Sequence, residues 1–103
     1  MEKTLEVENR NGTKYIKIDR PQTNNQLSVE CMRQIVGELD DAAADRRCRS
    51  IILRGLPDVF CSGGELGDYR KKSILEIKEF GGTFIALHLA MANCPKPIIA
   101  AVE

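Results

Sequence analysis

The segment VFCSGGEL, residues 59–66, places two adjacent glycines between an apolar run and a polar stretch. The pattern predicts a loop that leaves a strand and opens a helical turn, where backbone amides stay exposed and glycine lets a ligand approach them closely. Preorganised amides of this kind stabilise negative charge on a carbonyl oxygen, and one donor is typically worth about 3 kcal/mol. Two glycines are also common in purely structural turns. Residues 59–66 are therefore a candidate oxyanion site, with a structural turn as the alternative.

Other chemical motifs are missing from this segment and its surroundings. It lacks the G-x-G-x-x-G spacing of dinucleotide sites and the Gly-Lys-Ser/Thr of phosphate loops. Ser62 lacks the G-x-S-x-G context of a nucleophile elbow. Glu65 and Asp68 suggest a pair of carboxylates, although loop acids are more often solvated. His88 has no Cys, Asp or Glu three or four positions away, which favours a packing or surface residue over a general base.

The residues at the start of the chain predict a β-hairpin over residues 4–19. Apolar and polar side chains alternate in TLEVENR and KYIKID, and Asn11-Gly12 between them suits the left-handed dihedrals of a two-residue turn. A turn centred there sets a register that places the apolar residues on one face of the sheet. The facing pairs in that register are Val7 with Ile16 and Leu5 with Ile18.

A helix and a strand follow the hairpin and complete a βαβ unit. Residues 20–28 predict a loop whose last residue, Ser28, caps a helix over residues 29–44. Residues 50–54 contain a continuous apolar run, which predicts a strand covered on both faces. The residues expected on the buried face of the helix are Val29, Met32, Ile35, Val36, Leu39 and Ala43.

A second helix and strand are predicted towards the end of the chain. The helix spans residues 73–92 and is interrupted by Gly81-Gly82, at a cost of about 1 kcal/mol per glycine. Prolines 95 and 97 end it, and residues 98–102 predict another buried strand. The residues expected to line one face of the helix are Ile74, Ile77, Phe84, Leu87 and Met91.

Composition limits the class of protein. A length of 103 residues suits one small domain, and 43% hydrophobic residues argue against disorder. Lys+Arg and Asp+Glu number 15 each, so a net charge of zero gives no electrostatic reason to expect nucleic acid or an anionic membrane as partner. No apolar run approaches membrane-spanning length, and the charged start MEKTLEVENR differs from a signal peptide. These features predict a cytoplasmic protein.

Metal, redox and phosphate sites receive little support. The four cysteines are widely spaced with no C-x-x-C pair, which predicts mostly buried thiols and no metal site. The basic run over residues 46–49 could bind a phosphate, but such a run is more often a solvated helix end. The cysteines are Cys31, Cys48, Cys61 and Cys94.

Three motifs occur in a fixed order along the chain. Residues 19–28 read DRPQTNNQLS, residues 60–66 read FCSGGEL, and residues 95–103 read PKPIIAAVE. In order and spacing they resemble the motifs NRPxxxNALS, FCAGADL and PKPVIAAVNG of the crotonase, or enoyl-CoA hydratase/isomerase, superfamily. The resemblance covers nearly all 103 residues.

The resemblance implies a fold class and a substrate. The fold is α/β, made of the N-terminal ββα units of a crotonase-like spiral, with residues 1–103 as the N-terminal part of one domain whose C-terminal part is absent. The substrate is an acyl-CoA or related pantetheine thioester, and no separate cofactor is required. The full-length form is expected to be a homo-oligomer, a trimer or a hexamer, with no nucleic-acid or membrane partner.

The same resemblance implies roles for particular residues. The backbone amide of Gly64 corresponds to half of the family's oxyanion hole. Phe80 and Phe84 correspond to a wall of the acyl pocket, with core packing as the alternative. The implied substrate and CoA contacts are Asn25, Gln26, Leu27, Ser62, Gly63, Gly64, Glu65 and Leu66.

The sequence also departs from the family pattern. Gln26 stands where alanine is usual, Glu65 where aspartate is usual, and Glu103 where asparagine is common. Family members continue past this point with the second oxyanion amide, and the hydratases take both catalytic glutamates from there. We therefore expect this chain alone to be inactive as a hydratase.

Three hypotheses follow from the resemblance. The chain is a truncated piece of an enzyme of the enoyl-CoA hydratase/isomerase type, or a non-catalytic remnant that binds CoA or a partner chain. In the third, the parent is a polyketide-pathway relative that acts on a thioester held by a carrier protein. An unpaired edge on the strand over residues 98–102 would be an aggregation hazard, which a natural binder is expected to cover.

Overall fold

The computed structural model describes residues 3–103 as one four-stranded sheet and two α-helices, with short 3₁₀ turns at Pro21–Thr23 and Tyr69–Lys71. The strands lie side by side in chain order, the first pair antiparallel and the other two pairs parallel. The elements are β1 (Leu5–Arg10), β2 (Thr13–Ile18), α1 (Val29–Ala44), β3 (Ser50–Arg54), α2 (Ile74–Asn93) and β4 (Ile98–Ala101).

The predicted hairpin and its register are confirmed. Asn11 and Gly12 have φ values of 52° and 85°, the left-handed dihedrals that a tight two-residue turn requires. The pairs Leu5 with Ile18 and Val7 with Ile16 face each other, as the turn position predicts. Leu5, Ile16 and Ile18 are buried, but Val7 is 38% exposed because β1 is the outer strand of the sheet.

Helix α1 supplies the layer that covers the sheet. It spans the predicted residues, and the Ser28 hydroxyl accepts a hydrogen bond from the Cys31 amide at 3.1 Å, as expected of an N-cap. Its buried face is rotated slightly from the prediction, since Cys31 and Ala42 are buried while Val29, Val36 and Ala43 are half-buried. The buried residues of α1 are Cys31, Met32, Ile35, Leu39 and Ala42.

The parallel strands are less covered than predicted. In β3, Ile51 and Leu53 are buried but Ile52 is only half-buried, so the expectation of cover on both faces is wrong. In β4, Ile99 is 53% exposed, so this strand is not the buried one that was expected. Among residues 3–103, α1 packs on β1 and β2, and α2 packs mainly on α1.

Helix α2 is continuous through Gly81-Gly82 and packs against α1 rather than on the sheet. A helix whose main neighbour is another helix buries a narrow stripe, and only Thr83 and Leu87 are buried here. The five apolar residues that were expected to line one face of α2 differ in burial, and three of them are not covered. Those three are Ile74, Ile77 and Phe84, which are exposed.

Lys96, inside the PKP motif, fixes the C-terminal end of α1. Its ammonium donates hydrogen bonds to the carbonyls of Ala42 at 2.7 Å and Asp45 at 2.6 Å. The last turn of α1 contains no basic residue, so Lys96 brings positive charge to the negative end of the helix dipole from a distant part of the chain.

We expect Lys96→Met to lower the free energy of unfolding by about 1–3 kcal/mol, because two helix-end carbonyls lose a charged donor. Urea denaturation followed by circular dichroism measures this change. Lys78→Met is the matched control, since Lys78 is exposed and its side chain makes no hydrogen bond or ion pair within residues 3–103. Equal unfolding midpoints for the two variants would contradict the capping role of Lys96.

A capping box starts α2 and gives a prediction about pH. The Ser73 hydroxyl accepts from the Glu76 amide, and the Glu76 carboxylate accepts from the Ser73 amide, both at 3.1 Å. The hydrogen bond from the Ser73 amide lowers the pKa of Glu76. A lowered folded-state pKa means that this contribution to stability is complete above the unfolded value of about 4.3 and is lost as the pH falls through the folded pKa.

We expect a carboxyl NMR titration to place the Glu76 midpoint below that of an ordinary glutamate. The helical circular dichroism of the wild type should fall more steeply than that of Glu76→Gln below about pH 4, because glutamine keeps an acceptor that does not titrate. An ordinary or raised midpoint for Glu76 would show that the box does not form in solution.

Candidate functional site

The loop after β2 is held by the buried side chain of Asn25. Its amide donates to the carbonyls of Ile18 at 3.0 Å and Phe60 at 2.8 Å, and its oxygen accepts from the Arg20 amide at 2.7 Å. Asn25 has a φ of 58°, a left-handed conformation that asparagine adopts more readily than most residues. The side chain therefore ties the Arg-Pro loop to the glycine segment.

The glycine segment lies beside the loop as a short piece of parallel pairing. Leu27 donates to the carbonyl of Gly63 and accepts from the amide of Glu65, both at 2.8 Å, which makes an isolated bridge between Leu27 and Gly64. The predicted helical turn at this segment is wrong, because the extended pairing with Leu27 excludes it. The next helical residues are the 3₁₀ turn at Tyr69–Lys71.

This pairing fixes the direction of the Gly64 amide. The peptide between Gly63 and Gly64 is trans, so its carbonyl and its N–H point in opposite directions. Since the Gly63 carbonyl points at Leu27, the Gly64 N–H points away from Leu27. Within residues 3–103 that N–H has no hydrogen-bond partner, and Gly64 is half-buried. The Gly64 N–H is therefore a donor of fixed direction that the described residues leave without a partner.

The ring of Phe80 lies close to Gly64. A Cβ on Gly64 would lie 2.4 Å from Cζ of Phe80, which is closer than real contacts allow. Phe80 also packs against the core and stacks on Phe84 with ring centroids 6.1 Å apart. Phe84 itself is 37% exposed at the edge of this aromatic contact. Phe80 of α2 therefore packs beside the glycine segment at Gly64.

The two acids beside the segment are each held by an arginine. Glu65 accepts from the Arg20 guanidinium at 3.0 Å, and Asp68 accepts from Nε of Arg70 at 3.1 Å. The side-chain hydrogen bond from Arg70, followed by the Arg70 amide, lowers the pKa of Asp68. A carboxyl with a lowered pKa is ionised at neutral pH and is a poor general acid. The two acids therefore have separate partners.

The structure brings together most of the residues that the resemblance implied. Asn25–Leu27 and Ser62–Glu65 lie side by side, and the Ser62 hydroxyl adds a 2.6 Å bond to the carbonyl of Asn24. Leu66 follows as a half-buried residue. The Asn25 side chain is used within the protein, as is the Gln26 carbonyl, which accepts from Arg20. Contact of any of these residues with a thioester stays a prediction.

The remaining candidate groups lie apart from this place. Nδ1 of His88 is 2.8 Å from the Phe84 carbonyl, and its ring contacts the Phe84 ring. Arg47 pairs with Asp45, and Arg49 donates to the hairpin-turn carbonyl of Asn11. The four cysteines form no disulfide, and two of them are buried. No group of three or more metal-binding side chains occurs among residues 3–103, and no helix there is long and apolar enough to cross a membrane.

Sequence reasoning missed the role of Arg20. It is 8% exposed and contacts both Gln26 and Glu65, so it lies at the centre of the two paired segments. The available signal was an arginine before proline in one motif and an acid directly after the glycines in another. Gly55 was also missed: a Cβ there would lie 2.3 Å from the Phe60 carbonyl oxygen, so glycine is needed for the loop that leads into the segment.

Known proteins are similar to this chain in both sequence and fold. The family model described as enoyl-CoA hydratase/isomerase matches residues 8–103. The human mitochondrial methylglutaconyl-CoA hydratase is 34% identical over 100 residues, covering 96% of this chain and 29% of that protein. A probable enoyl-CoA hydratase of Rhodobacter capsulatus is 30% identical, covering 97% and 38%. The solved structure of Pseudomonas aeruginosa AtuE superposes with a TM-score of 0.88 at 28% identity, covering 98% and 40%.

The fold and the glycine segment define an α/β protein of the crotonase-like class, in the form of the amino-terminal ββα units of its spiral. The chain belongs to the enoyl-CoA hydratase/isomerase family. It spans about a third of the length of the curated relatives it matches. These relatives include mitochondrial and bacterial proteins, so a cytoplasmic location stays a prediction.

Proposed function

We propose that this chain binds an acyl-CoA thioester and donates the Gly64 N–H to the thioester oxygen, as one half of an oxyanion hole. The observation that carries the proposal is the fixed direction of this N–H, which is turned away from Leu27 and has no partner within residues 3–103. A preorganised donor of this kind stabilises an enolate oxygen without reorganisation during the reaction. Membership of the enoyl-CoA hydratase/isomerase family supports a thioester as the ligand.

The described residues favour binding without turnover by this chain alone. Hydration of a double bond needs an acid and a base within hydrogen-bond reach of the substrate. The acids nearest to Gly64 along the chain, Glu65 and Asp68, are each paired with an arginine. The second candidate function is therefore a binding module that holds a thioester, on CoA or on a carrier protein, and catalyses nothing.

Calorimetric titration with butyryl-CoA, a saturated thioester, tests the proposal. We expect saturable binding by the wild type and no hydration of crotonyl-CoA by the same preparation. Free CoA should bind more weakly, because it lacks the thioester oxygen that the amide contacts. An absence of any heat of binding with butyryl-CoA contradicts the proposed function, and turnover of crotonyl-CoA favours an enzyme over a binding module.

Two substitutions at residue 64 distinguish the effect of losing the amide N–H from the effect of adding a Cβ. Gly64→Ala and Gly64→Pro both add a Cβ against Phe80, but only proline lacks the N–H. In a Phe80→Leu background, which shortens the opposing side chain, we expect proline to bind butyryl-CoA at least about fivefold more weakly than alanine, the factor expected for one hydrogen bond. Equal affinities would show that the amide is not the contact.

A further inference from the structure

Arg20 is connected to the Gly64 amide through two peptide groups. Its Nη1 donates to the Gln26 carbonyl at 2.7 Å. The N–H of that same peptide belongs to Leu27, and it donates to the Gly63 carbonyl at 2.8 Å. The N–H of the next peptide is that of Gly64. A cation, two peptide dipoles and the candidate oxyanion donor thus form one continuous chain of hydrogen bonds.

Resting on the proposed function, we propose that Arg20 is a positioning residue that acts through this chain to aim and strengthen the Gly64 donor. The positive charge of the Arg20 guanidinium, which donates to the Gln26 carbonyl, polarises the Leu27 N–H. The Leu27 N–H in turn polarises the peptide between Gly63 and Gly64. Hydrogen bonds in such chains strengthen one another by about 10–30% per bond in condensed-phase estimates. The effect raises the donor strength of the last N–H, which is the group that meets the developing negative charge.

The burial of Arg20 supports a role beyond stability. Its side chain is 9% exposed and that of its partner Glu65 is 33% exposed. Removing such charges from water costs nearly as much as their attraction returns, so a buried ion pair contributes little net stability. Glu65 follows Gly64 directly, and its own amide donates to Leu27. The ion pair between Arg20 and Glu65 therefore holds the glycine segment at the residue that follows Gly64.

The NMR chemical shift of the Gly64 amide proton tests this role in the protein without ligand. We expect the Gly64 amide proton to move upfield in Arg20→Gln, because the uncharged glutamine side chain does not polarise the chain of hydrogen bonds as arginine does. Arg20→Lys keeps a cation and should therefore restore most of the wild-type chemical shift. If the role of Arg20 were purely structural, the shift would not depend on the charge at position 20. Arg33→Gln, which removes an arginine from an ion pair that is 56% exposed on both sides, should leave the Gly64 resonance unchanged.

Affinity for butyryl-CoA is the second measurement. We expect Arg20→Gln to weaken binding by about fivefold and Arg20→Lys to weaken it less. Equal losses in both variants, or an unchanged Gly64 shift in folded Arg20→Gln, would overturn the proposal. If Arg20→Gln does not fold, Glu65→Gln decides the question, because removing the counter-charge should move the Gly64 proton downfield, and an upfield shift would overturn it.

The two proposals fail in different ways. If the wild-type Gly64 resonance does not respond to butyryl-CoA, the proposed thioester site is wrong, and the claim that Arg20 acts on a thioester donor is wrong with it. If the resonance responds to butyryl-CoA but is insensitive to the charge at position 20, the thioester site stands and the role of Arg20 is wrong.

Discussion

Gly64→Ala should destabilise the protein by about 1–3 kcal/mol, the usual cost of adding a methyl group to a well-packed place. The new Cβ would lie 2.4 Å from Cζ of Phe80, so either the ring or the glycine segment must move. Movement of the segment also misdirects the Gly64 N–H, and we expect affinity for butyryl-CoA to fall with stability. Urea denaturation and calorimetric titration measure the two losses.

A double-mutant cycle with Phe80→Leu shows whether the clash is the cause. Residues in direct contact have coupling energies of about 0.5–3 kcal/mol, so the double variant should be more stable than the sum of the single changes predicts. Gly81→Ala is the control, since a Cβ there meets no heavy atom within 4 Å. That change should stabilise α2 by about 1 kcal/mol. Additive effects of Gly64→Ala and Phe80→Leu would contradict the packing explanation.

Asn25→Ala should have the largest effect on stability, at least about 4 kcal/mol. It removes three hydrogen bonds of a fully buried side chain and leaves the Ile18 and Phe60 carbonyls and the Arg20 amide without this partner. Each buried polar group left unsatisfied costs about 1–3 kcal/mol. The alanine must also adopt a φ of 58°, which costs about 1 kcal/mol more.

The neighbouring residue provides a matched control. Asn24 has a φ of 56° but is exposed, and its side chain makes no hydrogen bond within residues 3–103. Asn24→Ala therefore has the backbone cost alone, about 1 kcal/mol. The difference between the two variants, measured as unfolding free energies in urea, isolates the side-chain bonds of Asn25. Similar losses for both would mean that Asn25 does not link the two segments.

Local patterns predicted the elements well, because the signals are contained in a few adjacent residues. Asn11-Gly12 set the turn and thereby the register of the whole hairpin. Ser28 marked the start of α1 through its side chain, and the ends of β3 agree with the apolar run over residues 50–54. The family resemblance, which rested on three ordered motifs, is confirmed over residues 8–103.

Burial was predicted less well, because it depends on which layer packs against which. The apolar residues of α2 recur at helical spacing, but the spacing does not tell whether the helix meets a sheet or another helix. Here it meets α1, and Ile74 is 73% exposed. The extended form of Gly63–Glu65 was missed for a similar reason, since it depends on hydrogen bonds to Leu27, 36 residues or more away in the sequence.

The sequence predicted which segments form the candidate site, but it did not predict the contacts that hold these segments together. The motifs placed Asn25 and Gly64 in two segments, and the structure joins those segments through the buried Asn25 side chain and the pairing with Leu27. The role of Arg20 needs three-dimensional information, because its two partners lie in different segments. Opposite charges in two motifs indicate that a pair is possible but do not show that it is buried.

Isotope-edited infrared spectroscopy of butyryl-CoA labelled with ¹³C at the thioester carbonyl tests the central claim most directly. A carbonyl that accepts a hydrogen bond from the Gly64 amide is polarised, so its stretching frequency should fall when the thioester binds the wild-type protein. The shift should persist in Gly64→Ala/Phe80→Leu and vanish in Gly64→Pro/Phe80→Leu, which lacks the donor. A bound thioester whose carbonyl frequency equals that in water, or is the same in both double variants, would contradict the account.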